Sequence, residues 1–185
     1  MSLTQAEAQI ALNDIEKTEN RAAASQYHRV SAPYLIMWGV IWVIGYTVTA
    51  AIQEISIVWM PLIVVGIVGS ILLARREQGA RTAEFGWRYG ASFAVIGIFN
   101  TALVAVMSPL DYNQMSALLP LAVGVYYAFV GIWTKAWRMM PLGLALIGLT
   151  TLGYFVMPEY FRYWMAAVGG GGLIVGGLWM RNAGS

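Results

Sequence analysis

Long apolar runs separated by short polar ones set the pattern of this chain. After a polar stretch at 2–30, apolar residues dominate 33–52, 58–74, 89–107, 116–134, 140–157 and 163–180. Each run is close to the ~20 residues that carry a helix across a bilayer. Hydrocarbon offers no water to the backbone, so a run of this length crosses as a helix that satisfies its own N–H and C=O groups. The breaks are polar and rich in turn formers: Gln53 and Glu54, the stretch 75–88, Ser108-Pro109-Leu110-Asp111 and onward to Gln114, Lys135 to Arg138, and Pro158-Glu159 to Arg162. The pattern predicts an all-α integral membrane protein: six transmembrane helices as three antiparallel hairpins in 31–185, preceded by one amphipathic cytosolic helix in 1–30.

The polar tail carries its own helical signals. Thr4 and Glu7 have capping-box spacing, in which hydroxyl and carboxylate each take a free backbone N–H of the first turn. Ala8, Ala11, Leu12, Ile15 and Ala22 fall on one side, and Glu7, Asp14, Lys17 and Arg21 fall elsewhere. A face made mostly of alanine buries little area, so this helix is expected at the headgroups, on the chain's own cytosolic loops, or against a partner helix. It lacks the basic start and short apolar core of a cleaved signal peptide, and is expected to be retained. Pro33 is expected to open the first span, where its missing N–H costs nothing.

Charge gives the frame a direction. Of eleven Lys and Arg residues, Lys17, Arg21, Arg29, Arg75, Arg76, Arg81, Arg88, Lys135, Arg138 and Arg181 fall on one side, and Arg162 alone falls on the other. The positive-inside rule then places both termini in the cytoplasm of a protein integral to the cell (inner) membrane. An even number of spans follows from the same distribution.

Composition narrows the chemistry. Of 185 residues, 59% are hydrophobic and 11% charged, which leaves no room for a large soluble domain beside six spans. There is no cysteine, which excludes disulfides, thiolate metal sites, iron–sulfur clusters and a cysteine nucleophile. The one histidine, His28, lies between Tyr27 and Arg29 at the edge of the first span and cannot by itself make a metal or bis-imidazole haem site. No metal, cofactor or nucleic-acid partner is expected. None of the six span cores holds an Asp, Glu, Lys, Arg or His, the residues that mark proton relays and ion sites in membranes. Without a nucleophile–base pair in the membrane, an enzyme is not expected.

Three constellations remain. Tyr46, Thr47, Asn100, Thr101, Thr150, Thr151 and Tyr154 occupy the first, third and fifth spans outward of the midplane. Two readings stand for them: interhelical hydrogen bonding with Asn100 as the main tie, worth under about 1 kcal/mol per bond, or a pocket for a small solute. The sixth span holds Gly169, Gly172 and Gly176 at GxxxG spacing, a packing seam within the bundle or between two copies. Arg75, Arg76, Arg81, Arg88, Lys135 and Arg138 form a basic surface that would attract anionic membrane lipid by about 1 kcal/mol per residue, or dock a protein partner. The tryptophans fall mostly at span ends, as an interfacial belt would. Pro33 with Ile44-Gly45-Tyr46 has the spacing of Pro141 with Leu152-Gly153-Tyr154, a hint of a hairpin repeat that does not by itself show transport. The function expected is regulatory or scaffolding, engaging a cytosolic or membrane partner through the tail helix and the basic loop. The alternative is a transporter or channel for a neutral or amphiphilic solute.

Overall fold

A computed structural model describes the backbone at 5–52, 55–76, 80–134 and 136–182, and side-chain surroundings at 9–18, 22, 25–52, 57–76, 90–134 and 136–182. Its elements are α1 (Gln5–Ile52), α2 (Ile55–Arg76), α3 (Ala80–Met107), α4 (Tyr112–Trp133), α5 (Met139–Val156), a 3₁₀ turn (Pro158–Tyr160), α6 (Phe161–Trp164), a π-helical segment (Met165–Gly170) and α7 (Gly171–Arg181). Among the described residues there is no strand, and six helices are long and apolar enough to cross a membrane. The last of these runs from Pro158 to Arg181 and is called the sixth span below.

The tail and the first span are one helix. α1 is unbroken for 48 residues with Pro33 inside it rather than at its first turn. Residues 22–32 contain neither glycine nor proline and are rich in alanine, so nothing there stops a helix. Pro33 costs one backbone hydrogen bond, and the apolar turns that follow carry the helix on. Every described side chain from Gln9 to Thr18 is exposed, Ile10, Leu12 and Ile15 among them. The thin apolar face therefore does not dock on the chain's own described residues. The capping box at Thr4 and the turn at Gln53 and Glu54 lie outside the described residues.

Small residues set the packing around α1. A Cβ on Gly170 would fall 2.7 Å from the Val43 nitrogen and 2.9 Å from the Gly39 carbonyl oxygen, and one on Gly177 would meet the Ala32 carbonyl at 2.9 Å. α1 and the sixth span thus touch backbone to backbone, an approach only glycine permits. α4 and α5 meet in the same way, with Gly124 against Ile147 and the Gly143 carbonyl. The three hairpins expected would put these partners in different hairpins, yet the closest backbone approaches join α1 to the sixth span and α4 to α5.

The remaining two helices attach through large side chains. α2 is held on α1 by Trp59 against Gly45 and by Trp38 against Gly66, where the Trp38 indole donates to Ser70 Oγ at 3.2 Å. α3 touches α4 through the Phe93–Tyr126 ring pair, centroids 5.3 Å apart, and its apolar stretch Gly90–Met107 has no buried residue within the chain. The core lies between α1, α4, α5 and the sixth span, around Leu35, Trp42, Met139, Phe161, Met165, Leu173 and Met180.

Helix ends differ from the expected ones where caps are strong. α4 starts at Tyr112, ahead of the expected 116, because Asp111 caps it: the Gln114 N–H donates to Asp111 Oδ1 at 2.7 Å, and the Asp111 N–H donates to Gln114 Oε1 at 2.9 Å. Asp111→Ala is expected to lower stability by about 1 kcal/mol, read as a lower midpoint in denaturant titration of the solubilised protein. An unchanged midpoint would show that the cap contributes nothing. The polar stretch 75–88 is also shorter than expected, since α2 continues to Arg76 and α3 begins at Ala80.

Candidate functional site

The seven neutral polar residues expected as a patch are divided by helix geometry. Tyr46 is buried, its hydroxyl donating to the Ser116 carbonyl of α4 at 2.8 Å and its ring meeting Trp42 and Trp59 edge-on. Thr150 is fully buried, and its hydroxyl has no partner. Tyr154 is half-buried, its ring against Phe155 and Phe161. Thr47, Thr101 and Thr151 are exposed, and the last two return their hydroxyls to Gly97 and Ile147 of their own helices, each at 2.9 Å. Asn100 is half-buried and donates to Ile96 in its own helix at 3.0 Å, while its Oδ1 is buried without a partner. Residues 46 and 47, 100 and 101, and 150 and 151 are consecutive, hence about 100° apart around a helix. One member of each pair faces inward and the other outward.

Besides the Tyr46 bond, ties between helices come from tryptophan, arginine and asparagine donors to backbone carbonyls. Trp164 donates to Leu149 at 2.8 Å, Arg162 to Thr49 at 3.0 Å and Asn113 to Pro158 at 2.7 Å. Sequence spacing gives no sign of such bonds, because the acceptor can be any residue. Thr49 is a further buried hydroxyl without a partner that was not among the expected seven.

The expected glycine seam is also redistributed. A Cβ at Gly169 would meet Met165 and Trp42, one at Gly176 would meet Leu142 of α5, and one at Gly172 would find nothing within 4 Å. The glycines that press on α1 are Gly170 and Gly177. The π-helical segment Met165–Gly170 has a wider turn than an α-helix, so faces counted at 3.6 residues per turn drift once the chain passes through it. Four successive glycines at 169–172 weaken the α-helical preference where it forms.

One end of the bundle carries the basic residues. Arg75 and Arg76 at the close of α2 are exposed; the side chains of Arg81 and Arg88, and Lys135 altogether, lie outside the described residues. Arg138, in the turn between α4 and α5, is the basic residue with a built surrounding. Its Nη1 donates to the Trp179 carbonyl at 2.7 Å, and its guanidinium carbon lies 5.4 Å from the Trp137 ring centre and 4.7 Å from that of Trp179. The two indoles meet edge to face at 5.8 Å.

Beneath this pair sits His28, 4% exposed, its ring hydrogen-bonded to the Ala136 backbone and its Nε2 without a partner. One turn further along α1, Ser31 is 1% exposed and its hydroxyl likewise has no partner. The opposite end is different in kind: Arg162, the one basic residue there among those described, is tied to the end of α1 and lies over the Tyr112 ring. Among the described residues, no three His, Cys, Asp or Glu side chains gather as metal ligands would. No family model matches the chain, and no curated protein or solved structure matches it either.

Proposed function

We propose that the protein is a non-catalytic membrane scaffold or regulator that holds a helical arm out to a partner. The observation that carries this reading is the unbroken α1, which runs from its core contacts at 27–49 out to Gln5 with Ile10 62% and Leu12 61% exposed. At 1.5 Å per residue, the part before Ser25 projects about 30 Å beyond the span. Its apolar residues are too few to bury much lipid, and an amphipathic partner helix laid along Ala11, Leu12 and Ile15 fits that face.

In this reading the arm, Arg75, Arg76, Arg138 and the C-terminus share the cytoplasmic side, as the positive-inside rule asks. The six spans then run as three antiparallel hairpins pinned by the α1–sixth-span and α4–α5 seams. The transport alternative draws less support, because Thr47, Thr101 and Thr151 face outward and two of the three spend their hydroxyls on their own helices.

A photo-crosslinking amino acid at Ile15 is expected to yield an adduct of one defined mass in cells, and Ala11→Asp with Leu12→Asp should abolish it while the chain still inserts. The same label at exposed Val106 is the control for random collision. A smear at both positions, or an adduct indifferent to the aspartates, would sink the reading.

A further inference from the structure

We propose that Arg138, set against the rings of Trp137 and Trp179, is a binding site for the phosphate of an anionic lipid headgroup. Three observations converge on this place and on no other arginine whose surroundings are described. The guanidinium has a fixed orientation, set by its bond to the Trp179 carbonyl and by the two indoles. One bond leaves several of its five N–H donors uncommitted, in a planar fork that matches two phosphate oxygens. Arg75 and Arg76 are exposed and have no comparable surroundings.

The second observation is the charge balance. Among the described acidic residues, Asp111 and Glu159 lie at the opposite end of the bundle, and Asp14 and Glu16 are more than three turns before His28 on α1. None of these described residues pairs with Arg138. α5 starts at this residue with no side-chain cap, which adds the positive end of a helix dipole to the same spot.

The third observation is the polar floor. His28 is buried under the 136–138 turn, bonded to the Ala136 backbone and with its Nε2 lacking a partner, where an unpaired polar atom is costly. His28 lies close enough to Arg138 to feel its charge, which places a polar side chain beneath the guanidinium. The exposed rings of Trp137 and Trp179 supply the apolar shelf on which a headgroup at the membrane surface rests.

The test is lipid binding by the full-length protein in detergent, followed by native mass spectrometry with short-chain phosphatidylglycerol or phosphatidylcholine as the added lipid. Phosphatidylglycerol is expected to bind roughly tenfold tighter than phosphatidylcholine, a difference of about 1.4 kcal/mol. Arg138→Gln should remove most of that preference, while Arg76→Gln at the same end should change it less than about twofold, the share of one diffuse surface charge. Arg138→Lys keeps the charge but loses the two-donor fork, and should sit between them; it carries the test if the glutamine variant does not fold.

Inorganic phosphate in a parallel titration separates the sources. Displacement of phosphatidylglycerol at millimolar phosphate identifies a general phosphate site, and no displacement identifies a lipid site that needs the acyl chains. No preference for phosphatidylglycerol in the wild-type chain overturns the proposal. Equal losses in Arg76→Gln and Arg138→Gln overturn it as well.

Discussion

Gly170→Leu is expected to separate α1 from the sixth span and to leave no cooperative unfolding transition. The space a side chain would need is already taken by backbone, with the Val43 nitrogen 2.7 Å and the Gly39 carbonyl oxygen 2.9 Å from the site of a Cβ. A rotamer change cannot clear backbone, so the two helices would have to move apart along a seam that also holds Gly39 and Gly177. The cost of overpacking is about 3 kcal/mol at least, and a loss that large removes a sizeable part of the stability of an ordinary domain. Two residues later the expectation reverses. A Cβ at Gly172 meets nothing within 4 Å, so Gly172→Ala should be neutral or should stabilise by up to about 1 kcal/mol through helix propensity. Reversible unfolding in mixed micelles, read by tryptophan fluorescence, measures both. A Gly170→Leu protein that unfolds at the wild-type midpoint would show that the seam is not the one described.

The second large effect belongs to α4 and α5, and here the partner atoms decide what can be rescued. A Cβ on Gly124 would lie 2.7 Å from Ile147 Cγ1 and 3.0 Å from the Gly143 carbonyl oxygen, so the nearer obstacle is a side chain. Gly124→Ala should therefore destabilise by about 2 kcal/mol, and adding Ile147→Ala should return part of that loss. At Gly143 the atoms in the way are the Gly124 carbonyl and the Ala128 backbone, and no side-chain truncation opens the space. Gly143→Ala should be at least as damaging, and indifferent to Ile147→Ala. The double-mutant comparison is a direct reading of coupling between neighbours. Equal rescue at both positions would contradict the geometry.

The six spans were legible because each apolar run is longer than a soluble helix needs and ends in residues that hydrocarbon does not tolerate. Expected and observed boundaries differ by a few residues. The start of α4 differs because Asp111 and Gln114 were taken as turn residues, although their spacing is itself a capping signal. Pro33 was harder, since a proline at the first turn and one inside a long helix look alike in sequence, and only the helix-forming residues before it tip the balance.

The candidate sites were less legible, for two physical reasons. Periodicity tells depth along a span but not which of two consecutive residues faces in, so Thr47, Thr101 and Thr151 were grouped with neighbours that point the other way. A local change of helical pitch is invisible to counting, so Gly172 was placed in a seam that Gly170 and Gly177 form. Arg138 was named with five other basic residues, and nothing in its local sequence marks it out. What does so is Trp179 and His28, which reach it from different helices.

Pro33 sits within the packed part of α1, beyond buried Tyr27, His28, Ser31 and Ala32, and with no N–H to offer it leaves the Arg29 carbonyl without its helical donor. The backbone ladder is therefore weakest at a turn that neighbouring helices enclose, and the arm swings from its packed base at Tyr27. The arm before Tyr27, from Gln26 back to Gln5, is about 32 Å long at 1.5 Å per residue, and a tilt of about 10° at its base sweeps its tip through roughly 5.5 Å. The geometry works in reverse as well. A partner that pulls the tip by that distance applies its force through a long lever to the turn that carries His28 and Ser31, with a mechanical advantage that a short surface loop does not have.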